Sequence, residues 1–386
     1  MTRFHVLGRR VRGAQSWVAV ALVILFLVGL AAGYYAALYT RPAATVTRST
    51  TVTVTGYRTV TRTVTHTVTV TRGKPYYPVT LVDALGRVVT IAKPPRRIVS
   101  LAPSITEIIF SLGRGGLLVG VDSSSNYPPT LLRLEKEGRV RVVGSYWSPD
   151  VEKIAALKPD IVFASAAVPS HRGLGRKLES MGITVVYLKA GGCRDLSDVL
   201  HDMYIVARAL DAYKAYFSLA LNITRTIGAV EARLAEAHVK PVRVMVLLSP
   251  PQYGLWVAGG GTFIDYVVSH AGAVNVFHGL NGWVKVSKEQ VLSAKPEAII
   301  LATMATPQQA RKLLEELLSN PVLSETPAVK TGRVYVLTGE ADDILCRPGP
   351  RIALAVEMVA SLLHPGVVKA PPVKGIYSAA LVEARG

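Results

Sequence analysis

The spacing of hydrophobic and polar positions changes several times along this chain, and each change marks an element. Residues 17–39, "WVAVALVILFLVGLAAGYYAALY", form an uninterrupted uncharged run. As a helix it is long enough to cross a hydrocarbon core of about 30 Å. Residues 45–72 nearly alternate Val with Thr. That period predicts extended chain, but with few larger apolar residues it lacks the means to bury a core. It reads as a stalk. From Val79 the pattern becomes globular. "VTLVDALGRVVTIA" predicts strand, turn at Leu85-Gly86, strand. Buried strands then alternate with helices, which predicts parallel α/β layers. Ser104 and Glu107 have capping-box spacing. Ser148 before Pro149 reads as the cap of another helix.

Between Ser197 and His238 there is no proline and one glycine. Tyr213, Tyr216, Phe217, Ala220, Ile223, Ile227, Val230 and Leu234 recur at helical spacing, predicting a short helix and then a long one. After Pro241 the first half restarts: "VRVMVLLSP" echoes "RRIVSLAPS", and "SKEQVLSAKPEAIIL" echoes "SPDVEKIAALKPDIVF". Both of the latter carry a glutamate, five residues, Lys-Pro, an acid and a strand. A helix over 307–318, a strand over 333–337 and a closing helix from Pro350 to Leu363 complete the second half. The organisation is a basic segment (1–16), an apolar anchor or signal (17–39), a stalk (40–78), an N-terminal lobe (79–196), bridging helices (197–240), a C-terminal lobe (241–364) and a tail (365–386). The fold class is α/β: two parallel-sheet lobes joined by a long bridging helix, preceded by a transmembrane helix and a Thr-rich stalk.

Charge sharpens this picture. Ten cations lie at or before Lys74 and no acid precedes Asp83, so the net +18 mostly reports the N-terminal segments. That argues against nucleic acid as partner, which needs a basic stripe on the folded part. Arginines ahead of the apolar run place the N-terminus inside and the remainder outside. The run is a retained anchor or a cleaved signal peptide. Cys193 and Cys346 either pair or are two buried thiols. The eight His show no ligand spacing, so no metal site is expected. "LSPPQYG" and "AGGGT" match neither a nucleophile elbow nor a phosphate loop, and no enzyme is expected. Gly259–Gly261 instead lead into a helix capped by Thr262.

From about residue 79 to 364 the ordered motifs resemble the helical-backbone periplasmic binding proteins of cobalamin, ferric-siderophore and haem ABC importers, most nearly the cobalamin-binding members. These motifs include "RRIVSLAPSITEIIFSLG", "VGSYWSPDVEKIAALKPDIV", "LWVAGGGTFIDYVVSHAGAVNVF", "VSKEQVLSAKPEAIIL" and "RPGPRIALAVEMVASLLHP". The resemblance implies a monomeric binding protein with no cofactor of its own, at the cell surface, serving a permease dimer and its ATPase subunits. It implies a corrinoid held between the lobes by Tyr127, Tyr146, Trp147, Trp283, Asp343 and Arg347. Ferric siderophores and haem are the alternatives, with Arg347 and Arg172 toward an anionic chelate, or Tyr127 or His171 toward haem iron. An extracellular enzyme or a sensor on this scaffold is a further alternative. A carboxylate near a helix N-terminus contributes about 0.3–1 kcal/mol through the helix dipole. That accounts for one glutamate but not for its recurrence. The resemblance implies that Glu152 and Glu289 dock on the two permease subunits.

Overall fold

The computed structural model describes residues 44–54, 60–70 and 76–379. The apolar run 17–39 lies outside the described residues. No described helix is long and apolar enough to cross a membrane. The chain divides into two compact units, Met1–Pro78 and Val79–Gly386. In the first, β1 (Ala44–Val54) pairs antiparallel with β2 (Val60–Val70), in register from Ala44↔Val70 to Val54↔Val60. The alternating Thr/Val segment is therefore doubled back on itself rather than drawn out in one line.

The second unit opens with a hairpin of β3 (Val79–Val82) and β4 (Val88–Ile91), turned at Gly86. The first lobe follows as β5 (Ile98–Ser100), α1 (Pro103–Ser111), β6 (Leu118–Val121), α2 (Pro129–Lys136), β7 (Arg141–Val142), α3 (Val151–Ala156), β8 (Ile161–Ser165), α4 (Pro169–Ser180) and β9 (Thr184–Leu188). Its sheet is wholly parallel, in the order β7-β6-β5-β8-β9. Val99, Leu101, Ile154, Val162, Leu178 and Val185 form its core. Strands β5 and β8 are buried at every position, as in a parallel sheet covered on both faces.

Helix α5 (Leu196–Ala209) leads to α6 (Tyr213–Glu236), 24 residues and about 36 Å long. Tyr216, Ala220, Ile223, Ile227, Val230 and Leu234 are its buried stripe. It packs on α5 at the first lobe and on the closing helix of the second, which makes it the bridge that the periodicity predicts. The second lobe comprises β10 (Val242–Leu247), β11 (Trp256–Ala258), α7 (Phe263–His270), β12 (Ala273–Asn275), β13 (Trp283–Lys285), α8 (Lys288–Ala294), β14 (Ala298–Ala302), α9 (Pro307–Ser319), α10 (Pro327–Lys330), β15 (Val334–Leu337), α11 (Glu340–Cys346), α12 (Ile352–Leu363) and β16 (Ile376–Ser378). Its sheet is mixed. β12, β10, β14 and β15 are parallel, while β11, β13 and β16 run antiparallel to their neighbours.

The repeated Lys-Pro-acid sequence proves to be a staple. Lys158 and Lys295 take left-handed φ of 45° and 46°, ending α3 and α8. The proline after each cannot continue a helix. The acid then reaches back to the neighbouring strand. Asp160 accepts the N–H groups of Arg96 and Arg97 at 2.7 and 3.0 Å, and Glu297 accepts that of Arg243 at 2.9 Å. The same arginines cap the preceding helix: Arg97 donates to the Leu157 carbonyl and Arg243 to that of Ala294. One motif thus aligns β8 with β5, and its copy aligns β14 with β10.

Two predicted caps are corrected. The cap of α3 is Asp150, whose carboxylate accepts from the Glu152 and Lys153 N–H groups at 3.0 Å each. Ser148 is taken up in a turn with Ser145 instead. Helix α1 has no side-chain cap, because its N-cap position is Ala102 and Ser104 lies within the first turn; the Glu107 carboxylate is turned toward the other lobe.

Candidate functional site

In the first lobe the parallel strands end on one side, and the segments after β5, β6, β7 and β9 supply one wall of a cleft. The segments after β10 and β14, together with α11, supply the other. Open α/β sheets place ligands at such strand ends. The cleft has a volume of about 540 Å³.

Tyr146 and Trp147 are the two tip residues of a tight hairpin. Ser145 and Ser148 exchange backbone hydrogen bonds at 3.2 Å, and Asp150 N–H donates to the Val143 carbonyl at 2.8 Å. Gly144 makes the turn possible: its φ is 111°, and a Cβ there would lie 2.6 Å from the Ser148 carbonyl oxygen. The two rings meet edge to face at 4.7 Å. A Cβ on Gly191 would lie 2.8 Å from the Tyr146 hydroxyl, so that glycine makes room for the ring. Burial raises the Tyr146 pKa, keeping the phenol neutral. Trp147 is 71% exposed, and Met304, from the second-lobe wall, is 90% exposed. Leu248 and Pro250 also line that wall.

At one end the lobes are tied by charge. Glu107, with a side chain only 2% exposed, accepts from Arg351 at 2.6 and 2.7 Å and from Arg347 at 3.1 Å. Arg347 also donates to the Asn126 side chain (2.7 Å), the Ser124 carbonyl (3.0 Å) and Asp343 (2.5 Å). Asn126 returns a bond to Asp343 at 2.9 Å. The Arg351 guanidinium stacks over the Tyr127 ring, 4.1 Å from its centre. Burial pushes the Asp342 carboxyl up to about 6.

Of the residues singled out by sequence, Tyr146, Trp147, Asp343 and Arg347 line the cleft. Tyr127 lies beside the interlobe network. Trp283 lies on β13, its ring edge-on to Phe263 at 5.6 Å. It is outside the residues lining the cleft, and the register puts it on the same ribbon face as Trp256. Glu152 and Glu289 are both exposed and both the second residue of their helices. Hydrogen bonding to Ser287 holds the Glu289 pKa below its usual value. Cys193 and Cys346 are both free thiols, each bonded to a carboxylate: Cys193 to Asp202 at 3.5 Å and Cys346 to Asp342 at 3.3 Å. Among the described residues no group of His, Cys, Asp and Glu is placed to hold a metal ion. Sequence reasoning missed Glu107, Asn126 and Met304. A buried glutamate on an otherwise apolar helix was the available signal for the first; the others carried none.

A family model described as "Periplasmic binding protein" matches residues 98–341. An uncharacterised ABC transporter substrate-binding lipoprotein of Bacillus subtilis (strain 168) is 29% identical over 294 residues, covering 76% of this chain and 88% of its own length. A vitamin B12-binding protein of Pectobacterium atrosepticum is 30% identical over 275 residues, covering 70% of this chain and 88% of its own. The crystal structure of the periplasmic vitamin B12-binding protein of Vibrio cholerae superposes with a TM-score of 0.54 at 28% identity, covering 70% of this chain and 97% of that one. With its two α/β lobes, bridging helix and interlobe cleft, this chain belongs to the periplasmic binding protein family.

Proposed function

We propose that the protein is the extracytoplasmic binding component of an ABC importer and that it captures a corrinoid between its lobes. The observation that carries this is the pair of exposed apolar side chains in one cleft, Trp147 from one lobe and Met304 from the other. Large apolar groups left in water on facing walls suit a broad ligand with apolar faces. The charge balance supports the same reading. Arg347 is the sole cation among the lining residues, against Asp342 and Asp343, and both of its terminal nitrogens are already engaged. An anionic ferric chelate would meet one cation there, already paired with Glu107 and Asp343. Both ring nitrogens of His171 are hydrogen-bonded in the interior and the Tyr127 ring faces Arg351, which leaves neither poised for haem iron. The vitamin B12-binding relative at 30% identity points the same way.

In this reading Glu152 and Glu289 meet the two permease subunits, each lobe against one, and the ATPase subunits drive uptake. The run 17–39 anchors a monomer outside the membrane. The reading is tested by purifying the full-length chain and recording its visible spectrum and the mass of any bound ligand, followed by calorimetry with cyanocobalamin. A corrinoid spectrum and saturable 1:1 binding are expected. Saturable binding of a ferric hydroxamate with none of cyanocobalamin would overturn it.

A further inference from the structure

A two-residue hairpin tip leaves its own carbonyl oxygens without ladder partners. Here both are taken by the first turn of α4. The Ser170 hydroxyl donates to the Trp147 carbonyl at 2.8 Å. His171 Nε2 donates to the Tyr146 carbonyl at 2.7 Å. The tautomer is set from the other side, since the Ser165 N–H donates to His171 Nδ1 at 3.0 Å. His171 is fully buried, and its ring packs edge to face on that of Tyr146 at 5.7 Å. Its own carbonyl accepts from the Tyr187 hydroxyl at 3.0 Å, which fixes this turn of α4 to β9. Burial lowers the His171 pKa, so the neutral ring that these two bonds require is the form present at neutral pH.

We propose that His171, assisted by Ser170, is a positioning residue of the ligand site: it clamps the Tyr146–Trp147 tip to the end of β8 and fixes the direction in which Trp147 enters the cleft. Any buried neutral imidazole needs a partner for each ring nitrogen; what distinguishes this one is which partners it has. This one bridges the strand end that bounds the cleft and the carbonyl of a cleft residue. Its neighbour on the helix takes the next carbonyl along. Exposed aromatic side chains contribute most to binding when their orientation is set before the ligand arrives. The inference rests on the corrinoid reading only for the choice of ligand.

The test uses the full-length chain labelled with 5-fluorotryptophan, the Trp147 resonance being assigned by its loss in Trp147→Phe. Cyanocobalamin is the probe. His171→Phe should shift and broaden the Trp147 resonance and weaken cyanocobalamin binding roughly tenfold, mainly through faster dissociation. His171→Gln, which keeps an N–H for the Tyr146 carbonyl, should restore most of both. Ser170→Ala, at an exposed position, should move the resonance the same way with about a twofold to threefold loss. Should His171→Phe not fold, the other two variants decide. An unchanged Trp147 resonance in the folded variants overturns the proposal, whether or not affinity falls. Absence of cyanocobalamin binding by the unsubstituted chain would instead sink the corrinoid reading, and the resonance would still decide the role of His171.

Discussion

The two copies of the glutamate motif agree on one side and differ on the other. In both, the glutamate is the second residue of a short helix, exposed, with a left-handed lysine and a proline closing that helix and an acid stapling the next strand. The approach to the helix has diverged. In the first lobe it is a two-residue hairpin tip carrying Tyr146 and Trp147, and the cap is Asp150. In the second it is the edge strand β13 carrying Trp283, and the cap is a Ser287–Gln290 capping box. The approach segments are free to differ where the ligand is asymmetric. The glutamates are held alike, which fits the proposed docking of a pseudo-twofold surface on a twofold permease. The difference separates the two surfaces of the protein by their symmetry.

The largest expected effect breaks the symmetric side. Glu152→Arg combined with Glu289→Arg should abolish uptake and permease capture while leaving cyanocobalamin affinity and thermal stability near their starting values. Each single reversal should cost a similar share. Normal uptake by the double variant would return both glutamates to a dipole role worth only tenths of a kcal/mol.

A second test asks whether the lobes are alike inside. Each keeps a thiol bonded to a buried aspartate, and burial pushes both Asp202 and Asp342 up to about 6. In the unfolded chain the value is about 3.9. Folding therefore favours the protonated form. The stability this supplies is complete below about pH 4 and is lost as pH rises through about 6. Asp202→Asn and Asp342→Asn should each flatten the pH dependence of unfolding free energy over that window, by up to about 3 kcal/mol. Denaturant titrations from pH 4 to 7 measure it. Asp202 also accepts the Lys189 and Ala190 N–H groups at 2.9 and 2.7 Å, so its variant should lose more stability overall. Equal slopes in the unsubstituted chain and both variants would exclude either carboxylate as the source.

The smallest effect sharpens the asymmetric side. Trp147→Ala should weaken cyanocobalamin binding by about 1–3 kcal/mol. Trp283→Ala, measured beside it by calorimetry, should cost less, since that ring meets Phe263 edge-on and lies outside the cleft lining. An equal loss would extend the ligand site onto the β11–β13 ribbon; unchanged affinity would remove Trp283 from it.

Much of this architecture was legible from spacing alone. The stripe from Tyr216 to Leu234 marks a helix buried along one face, and the repeated Lys-Pro-acid marks a repeated junction, because both are local in sequence. Thr262 was readable as a cap for the same reason, and it accepts from the Asp265 N–H. Glu107 was misread because its spacing from Ser104 suits a capping box, while its true partners, Arg347 and Arg351, lie more than 200 residues away in the segment joining α11 to α12. Asp343 and Arg347 line the cleft, yet their first partners are each other and the opposite lobe. Met304 follows a strand in a segment with no pattern. Its significance lies in exposure, which sequence does not encode.

The carboxylate of Glu107 and its two arginines have a consequence for delivery. Parting the lobes at this end would break the Glu107 bonds to Arg347 and Arg351 together, with water taking up the freed groups. A corrinoid held between the lobes would then leave only with that tie undone, and undoing it would be a task for the importer.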